Sequence, residues 1–167
     1  MQQLLKHLKF LPSATNQHGV HSPFIYGYVT KCLYGKKKYS RSKSLNVLFK
    51  SIAYFGSEQI MLQDSEDELK RLINNYFPEA KFVLADADII YLSNKDTSKV
   101  EVLLSKKINM NNNTMLLLDG IYESKQSEAI WKTLKNNPKV TVTVDMFYCG
   151  AVFFREEQAK EHFKIRI

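Results

Sequence analysis

The fold class is indicated most directly by one stretch of the chain, Thr114-Met115-Leu116-Leu117-Leu118-Asp119-Gly120. Its apolar residues are unbroken rather than alternating, which is typical of a strand that is buried on both faces. Such strands belong to parallel sheets that are covered by helices on both sides. The run ends in a carboxylate, Asp119, at the strand end where open α/β sheets place their ligands.

Segments before and after this strand alternate between apolar runs and helical patterns. The predicted strands before it are residues 59–63, 81–85 and 88–93, the last two of which could also form one bent strand. The predicted helices are residues 65–77 with a capping box at Ser65 and Glu68, residues 97–108, and residues 124–136. This alternating order predicts a Rossmann-like, three-layer α/β domain over residues 58–167.

The last part of the chain predicts a different kind of strand pairing. Residues 140–147 alternate between apolar and polar side chains, residues 151–155 return after a turn at Cys149 and Gly150, and residues 162–167 alternate again. Strands that no helix separates pair antiparallel. We therefore expect an antiparallel C-terminal hairpin at the edge of an otherwise parallel sheet.

The first 57 residues contain only helical patterns, so we expect them to form a helical cap on the α/β domain. Leucines at helical spacing predict a first helix over residues 4–11. Ser22 followed by Pro23 is a favourable start for a second helix. A third helix is predicted over residues 45–55, and Gly56 ends it.

Charge is distributed unevenly along the chain. The net charge is +7, yet residues 1–50 hold nine Lys and Arg and no acidic residue. The densest part is a basic loop at residues 35–43, which predicts either contact with a polyanion or a solvated loop that aids solubility. The candidate polyanion-binding residues are Lys36, Lys37, Lys38, Arg41 and Lys43.

Composition excludes several classes of protein. A hydrophobic content of 44% allows a real core, which argues against a disordered chain. No apolar run reaches the roughly 18–20 residues of a membrane-spanning helix, and no secretory signal is present, so we expect a cytoplasmic location. The two cysteines lie far apart, so neither a disulfide framework nor a metal site is predicted.

Two motifs carry a resemblance to a known family: His-Gly-Val-His-Ser-Pro-Phe at residues 18–24 and Leu-Leu-Leu-Asp-Gly-Ile-Tyr-Glu-Ser at residues 116–124. With the C-terminal strands, they resemble a group of bacterial class I S-adenosylmethionine-dependent methyltransferases. The resemblance implies a seven-stranded fold whose last strand is inserted antiparallel. It also implies that Asp119 and Tyr122 are the surviving edge of a substrate cleft, although Asp119 could equally cap the next helix. A structural role, anchoring the cap, is implied for the motif residues His18, His21 and Ser22.

The middle of the chain departs from that family. Family members carry a glycine-rich turn after the first strand, where the backbone approaches the cofactor. Here Gln63, Asp64 and Ser65 occupy that position, and no glycine occurs between Gly56 and Gly120. The acidic residues 66–68 would repel the carboxylate of the cofactor at the start of the next helix. The chain is also too short for all the usual strand–helix units, so we expect a reduced sheet.

We therefore expect a shortened methyltransferase-like protein that has lost cofactor binding and catalysis and acts as a binding or scaffold protein. Its partner would be a second copy, another protein or a polyanion, and no cofactor is expected. One alternative is an active S-adenosylmethionine-dependent methyltransferase with an unusual cofactor loop. Another is a nucleic-acid-associated module in which Tyr34 and Tyr39 stack on bases beside the basic loop.

Overall fold

The structure, a computed structural model, describes residues 2–62, 66–93 and 110–167, and these residues form one seven-stranded mixed sheet. The strands are β1 Gln59–Leu62, β2 Lys81–Phe82, β3 Ile89–Leu92, β4 Met115–Asp119, β5 Val142–Asp145, β6 Cys149–Phe153 and β7 Glu161–Lys164. Their order across the sheet is β2-β1-β3-β4-β6-β5-β7. β6 is antiparallel to both of its neighbours, whereas all other neighbouring strands are parallel.

The described helices are α1 Gln2–Ser13, α2 Pro23–Gly27, α3 Lys43–Phe55, α4 Asp67–Tyr76 and α5 Lys125–Asn136. α2 continues as a π-helix over Tyr28–Leu33. Three helices start where a serine hydroxyl accepts a hydrogen bond from a backbone N–H in the first turn, which satisfies a donor that the helix leaves unpaired. These serines are Ser22 for α2, Ser42 for α3 and Ser124 for α5. Gly56 ends α3 in the left-handed conformation, at φ 62°.

The sheet lies between two layers of helices because alternate residues of its strands point to opposite faces. Tyr91 of β3 and Leu117 of β4 pack with α2, α3 and α4 in one core cluster. Leu92 and Leu118, one position along each strand, pack with α5 on the other face. The α2 and α3 helices thus share one core with the sheet, whereas Phe10 of α1 belongs to a separate small cluster with Phe147, and the α/β class is confirmed.

Two expectations about the sheet are confirmed: it is mostly parallel, and it includes an antiparallel hairpin near the C-terminus. Residues 81–93, which the sequence allows to be one bent strand or two, form two strands on opposite sides of β1, because the chain turns between them at Asp86, which has a φ of 53°. Two details are wrong. β7 is parallel to its neighbour β5, because β6 lies on the other side of β5. The sheet keeps seven strands rather than a reduced number.

The predicted turn at Cys149 and Gly150 is also displaced. Both residues lie inside β6, and the chain reverses at Met146–Tyr148 instead. Gly150 is required there for a packing reason, since a Cβ would lie 2.6 Å from two atoms of the Trp131 ring. The predicted helix over residues 97–108 lies outside the described residues. Within the described ranges, no helix has the length and apolar character needed to cross a membrane.

Candidate functional site

A cleft of about 870 Å³ opens at the carboxyl end of β4. Its walls come from α1, the first residues of α3, the loop after β4 and the turn after β5. Asp119 and Tyr122, the two cleft residues expected from the sequence, both line it. Lys43, expected to bind a polyanion, lies on the same cleft. The fold therefore brings together three residues that are up to 79 positions apart in the sequence.

The carboxylate of Asp119 is hydrogen-bonded through both of its oxygens. Ser44 Oγ donates to Oδ1, and the Tyr91 hydroxyl donates to Oδ2 at 3.3 Å. Ser44 belongs to the first turn of α3, where the helix dipole favours a negative charge. Burial and the neighbouring Asp119 charge both raise the pKa of Tyr91, which keeps its hydroxyl protonated as a donor. Asp119 thus links the sheet to the helical N-terminal region.

Tyr122 is held by polar contacts at both of its ends. Its hydroxyl donates to Asp145 Oδ2 at 2.5 Å, and its carbonyl oxygen accepts from Gln3 Nε2 at 2.8 Å and from Lys6 Nζ at 3.1 Å. Burial, followed by the hydrogen bond to Asp145, raises the pKa of Tyr122. The tyrosine hydroxyl therefore stays protonated and serves as a fixed donor within the protein.

Asp145 is the most deeply buried carboxylate among the described residues, with 3% of its surface exposed. Its second oxygen accepts from the Phe147 backbone N–H at 3.0 Å. Burial raises the pKa of Asp145, although the hydrogen bonds from Tyr122 and Phe147 partly offset that effect. These bonds stabilise the turn after β5, in which Phe147 takes an unusual left-handed φ of 68°.

Aromatic rings join α1 to this turn. Phe147 stacks on Tyr122 with ring centroids 5.3 Å apart and contacts His7 at 4.6 Å and Phe10 at 5.5 Å. Contacts of this kind contribute about 0.5–1.5 kcal/mol each beyond the area that they bury. The α1 helix is consequently attached to the domain through one face only, the face that carries His7 and Phe10.

The basic loop lies mostly away from the cleft. Lys36, Lys37, Lys38 and Arg41 are exposed, and Lys37 Nζ lies 4.6 Å from the centroid of the Tyr39 ring. Of the five candidate polyanion-binding residues, all of them described, Lys43 alone lines the cleft. Its ammonium donates to the carbonyl oxygen of Ile167 at 3.2 Å.

The histidine motif is placed at the surface. The rings of His18 and His21 are exposed, and the His18 ring contacts the side chain of its neighbour Gln17 at 3.3 Å rather than a backbone group. Ser22 is buried and makes the anchoring contact, since its hydroxyl donates to Gln158 Oε1 at 2.8 Å while it caps α2.

The residues expected at the degenerate cofactor position, Gln63, Asp64 and Ser65, lie outside the described residues. The helix that follows them begins at Asp67, with Glu66 at its cap position, so the expected capping box does not start it from Ser65. Acidic side chains therefore stand before the helix and in its first turn, as the sequence indicates.

Sequence reasoning missed Asp145, Ser44 and Tyr91. A signal for Asp145 was present, because it ends its strand as Asp119 does, and β4 and β5 run in the same direction. Strands that run in the same direction end at the same edge of a sheet, so the two carboxylates could have been placed together. Nothing local distinguishes Ser44 or Tyr91 from other polar residues of a helix or strand.

The described residues contain no cluster of three or more His, Cys, Asp or Glu side chains that could hold a metal ion. Neither the known protein-family models nor the curated proteins give a match to this chain. Any function proposed for this chain therefore rests on the chemistry of the cleft.

Proposed function

We propose that this chain is a methyltransferase-like α/β protein that has lost its cofactor-dependent reaction and works as a binding protein. The position of β6, an antiparallel strand inserted between β4 and β5, supports the resemblance to the methyltransferase fold. The large cleft at the carboxyl end of β4 supports a binding role, because ligands of open α/β sheets bind at this edge.

One observation carries the proposal: the polar groups of both expected cleft residues are already bonded within the protein. Asp119 accepts from two hydroxyls, and the Tyr122 hydroxyl donates to Asp145. A general acid or base must reach the reacting proton of a substrate within hydrogen-bond distance. Here the same groups connect α3, the sheet and the turn after β5, which supports a structural role for them.

The expected cofactor edge does not fit S-adenosylmethionine. A helix start ordinarily attracts an anionic group through its free N–H groups. The start of α4 instead carries Asp67 and Glu68 in its first turn, after Glu66. The charge of Glu66 also contributes to the raised pKa of Tyr91, the residue whose hydroxyl donates to Asp119. The carboxylate of the cofactor would meet like charge here.

Calorimetric titration of the full chain with S-adenosylmethionine tests the proposal. A lost hydrogen bond to a charged group costs about 1.5–3 kcal/mol, and each 1.4 kcal/mol changes affinity tenfold. Two such losses, of the N–H contact to the carboxylate at the start of α4 and of the backbone contact of the glycine-rich turn that this chain lacks, weaken a micromolar ligand to about the millimolar range. We expect no binding stronger than that, with circular dichroism as the check on folding. A dissociation constant below about 50 µM would overturn the proposal and favour the active methyltransferase.

A second candidate function is a polyanion-associated module, and the exposure of Lys36, Lys38 and Arg41 favours it. Each phosphate contact contributes a slope of about −0.9 to the dependence of log K on log salt concentration. Binding to heparin and to duplex DNA, measured over a range of salt, tests this candidate. If the protein binds neither heparin nor DNA at about 50 mM salt, the basic loop is only a solvated segment.

A further inference from the structure

The outward surface of α1 carries three leucines that remain exposed among the described residues. Leu4, Leu5 and Leu8 are 63%, 53% and 54% exposed. Leu4 and Leu8 lie one turn apart on the same side of the helix, and Leu5 is adjacent to Leu4. Single exposed leucines are ordinary, but a contiguous group on one helix marks an interaction surface.

Two exposed lysines lie beside these leucines. Leu4 lines the same cleft as Lys43, so these two side chains lie on one side of the molecule. Lys9 is exposed on α1 itself, and Lys164 Nζ donates to Ser13 Oγ at the end of the helix. Lys6, in contrast, is neutralised by an ion pair with Glu128.

We propose that α1, with Lys9 and Lys43 beside its leucines, forms a surface that docks on an anionic lipid bilayer. At 12 residues, α1 is too short to span a bilayer but long enough to lie in its interfacial plane. The leucines then enter the boundary between headgroups and acyl chains, while Lys9 and Lys43 lie over the anionic headgroups. The inference names a partner for the proposed binding role, and it does not depend on the loss of cofactor binding.

Two features favour lipid over other partners. The phosphates of a nucleic acid would pair with the basic side chains. They would leave the three leucines in water, since a phosphate backbone offers no apolar surface. A second copy would bury the leucines but would bring two segments together that each hold nine bases and no acid in residues 1–50. Like charges that face each other across an interface oppose association. An anionic bilayer satisfies both the apolar and the charged part of the surface.

Vesicle co-sedimentation of the full chain tests the proposal. The probes are vesicles of phosphatidylcholine alone and vesicles that contain about 30% phosphatidylserine. We expect binding to the anionic vesicles and little binding to the neutral ones, because one lysine near an anionic surface contributes about fivefold in affinity. Raising the salt concentration should weaken the binding.

Two pairs of matched variants separate the apolar part from the charged part. Leu4→Ser, Leu5→Ser and Leu8→Ser together should weaken binding at least about tenfold, because three side chains lose their apolar burial. Leu84→Ser is the control, since Leu84 is 86% exposed elsewhere on the surface. Lys9→Glu with Lys43→Glu should weaken binding about 25-fold or more. Lys81→Glu with Lys139→Glu changes the net charge equally and should have much less effect, because both residues are exposed at the amino ends of strands, opposite the cleft.

The outcomes are distinct. No binding to anionic vesicles overturns the proposal, and so does binding that the leucine variant retains in full. A leucine-dependent dimer in light scattering without vesicle binding would assign the surface to a second copy instead. DNA binding that is as strong as vesicle binding, and that the leucine variant retains, would favour the nucleic-acid alternative. Titration with S-adenosylmethionine is independent of all these results, so a failure here and a failure of the proposed function are distinguishable.

Discussion

Replacement of Asp119 by alanine is expected to destabilise the folded protein by about 2–4 kcal/mol. The carboxylate accepts from Ser44 and Tyr91, whose side chains belong to residues only 4% and 3% exposed. A hydrogen bond to a charged group contributes about 1.5–3 kcal/mol net. The loss at Ser44 is smaller, because its hydroxyl also contacts the Tyr148 carbonyl oxygen at 3.3 Å. Asp119 is itself only half-buried, so the sum falls below twice the single value.

Urea unfolding, followed by the fluorescence of the single tryptophan Trp131, measures this loss. Glu79→Ala, at an exposed position, should change the free energy of unfolding by no more than about 0.5 kcal/mol. Ser44→Ala combined with Asp119→Ala should show a coupling energy of at least about 0.5 kcal/mol. An Asp119→Ala variant as stable as the Glu79→Ala control would refute the structural role of this carboxylate. A role of Asp119 on a bound ligand would then be the better explanation.

Three further predictions address the core and the buried titratable groups. Gly150→Ala should lower the free energy of unfolding by about 1–3 kcal/mol, since the new Cβ would lie 2.6 Å from the Trp131 ring. If that contact is the cause, the loss should be smaller in a Trp131→Leu background. Burial holds the pKa of Asp145 above its value in the unfolded chain, so the folded state binds this proton more tightly, and the free energy of unfolding falls as the pH rises from about 3.9 through the folded-state pKa. Asp145→Asn should flatten that part of the curve of unfolding free energy against pH. An unchanged slope would contradict a raised pKa of Asp145 in the folded state. Burial raises the pKa of Cys32 to about 12, so a thiol reagent at pH 8 should modify this cysteine only as urea unfolds the chain; rapid labelling of the native protein would show that the site is open.

Features that depend on neighbouring residues could be predicted from the sequence. The apolar run of β4 is correctly predicted to be a buried strand, because only a strand covered on both faces tolerates such a run. Ser22 and Ser124 start helices through hydrogen bonds within three residues, and Gly56 ends one by adopting a positive φ. Each of these interactions is decided within one turn of chain, so the local pattern contains the physical cause.

The placement of strands depended on more than local pattern. Residues 81–93 carry two apolar runs, and the sequence left open whether they form one strand or two. The sheet separates them to opposite sides of β1, which is decided by the pairing partners that each edge of β1 offers. The direction of β7 likewise follows from its neighbour β5, and not from the absence of a helix before it.

The chemistry of the cleft was decided by the tertiary structure. The sequence placed Asp119 and Tyr122 at a strand end and left open whether they act on a ligand. Their partners Ser44 and Asp145 are 75 and 23 residues away, so no local pattern could reveal that the polar groups are already paired. The same holds for α1: helical spacing predicted the helix, whereas packing through His7 and Phe10 decided that its leucines face solvent. Local sequence thus determined which segments are helices and strands, because their hydrogen bonds and caps are short-range. Only the folded chain determined which side chains are paired and which are free to bind, because those contacts join residues that are distant in sequence.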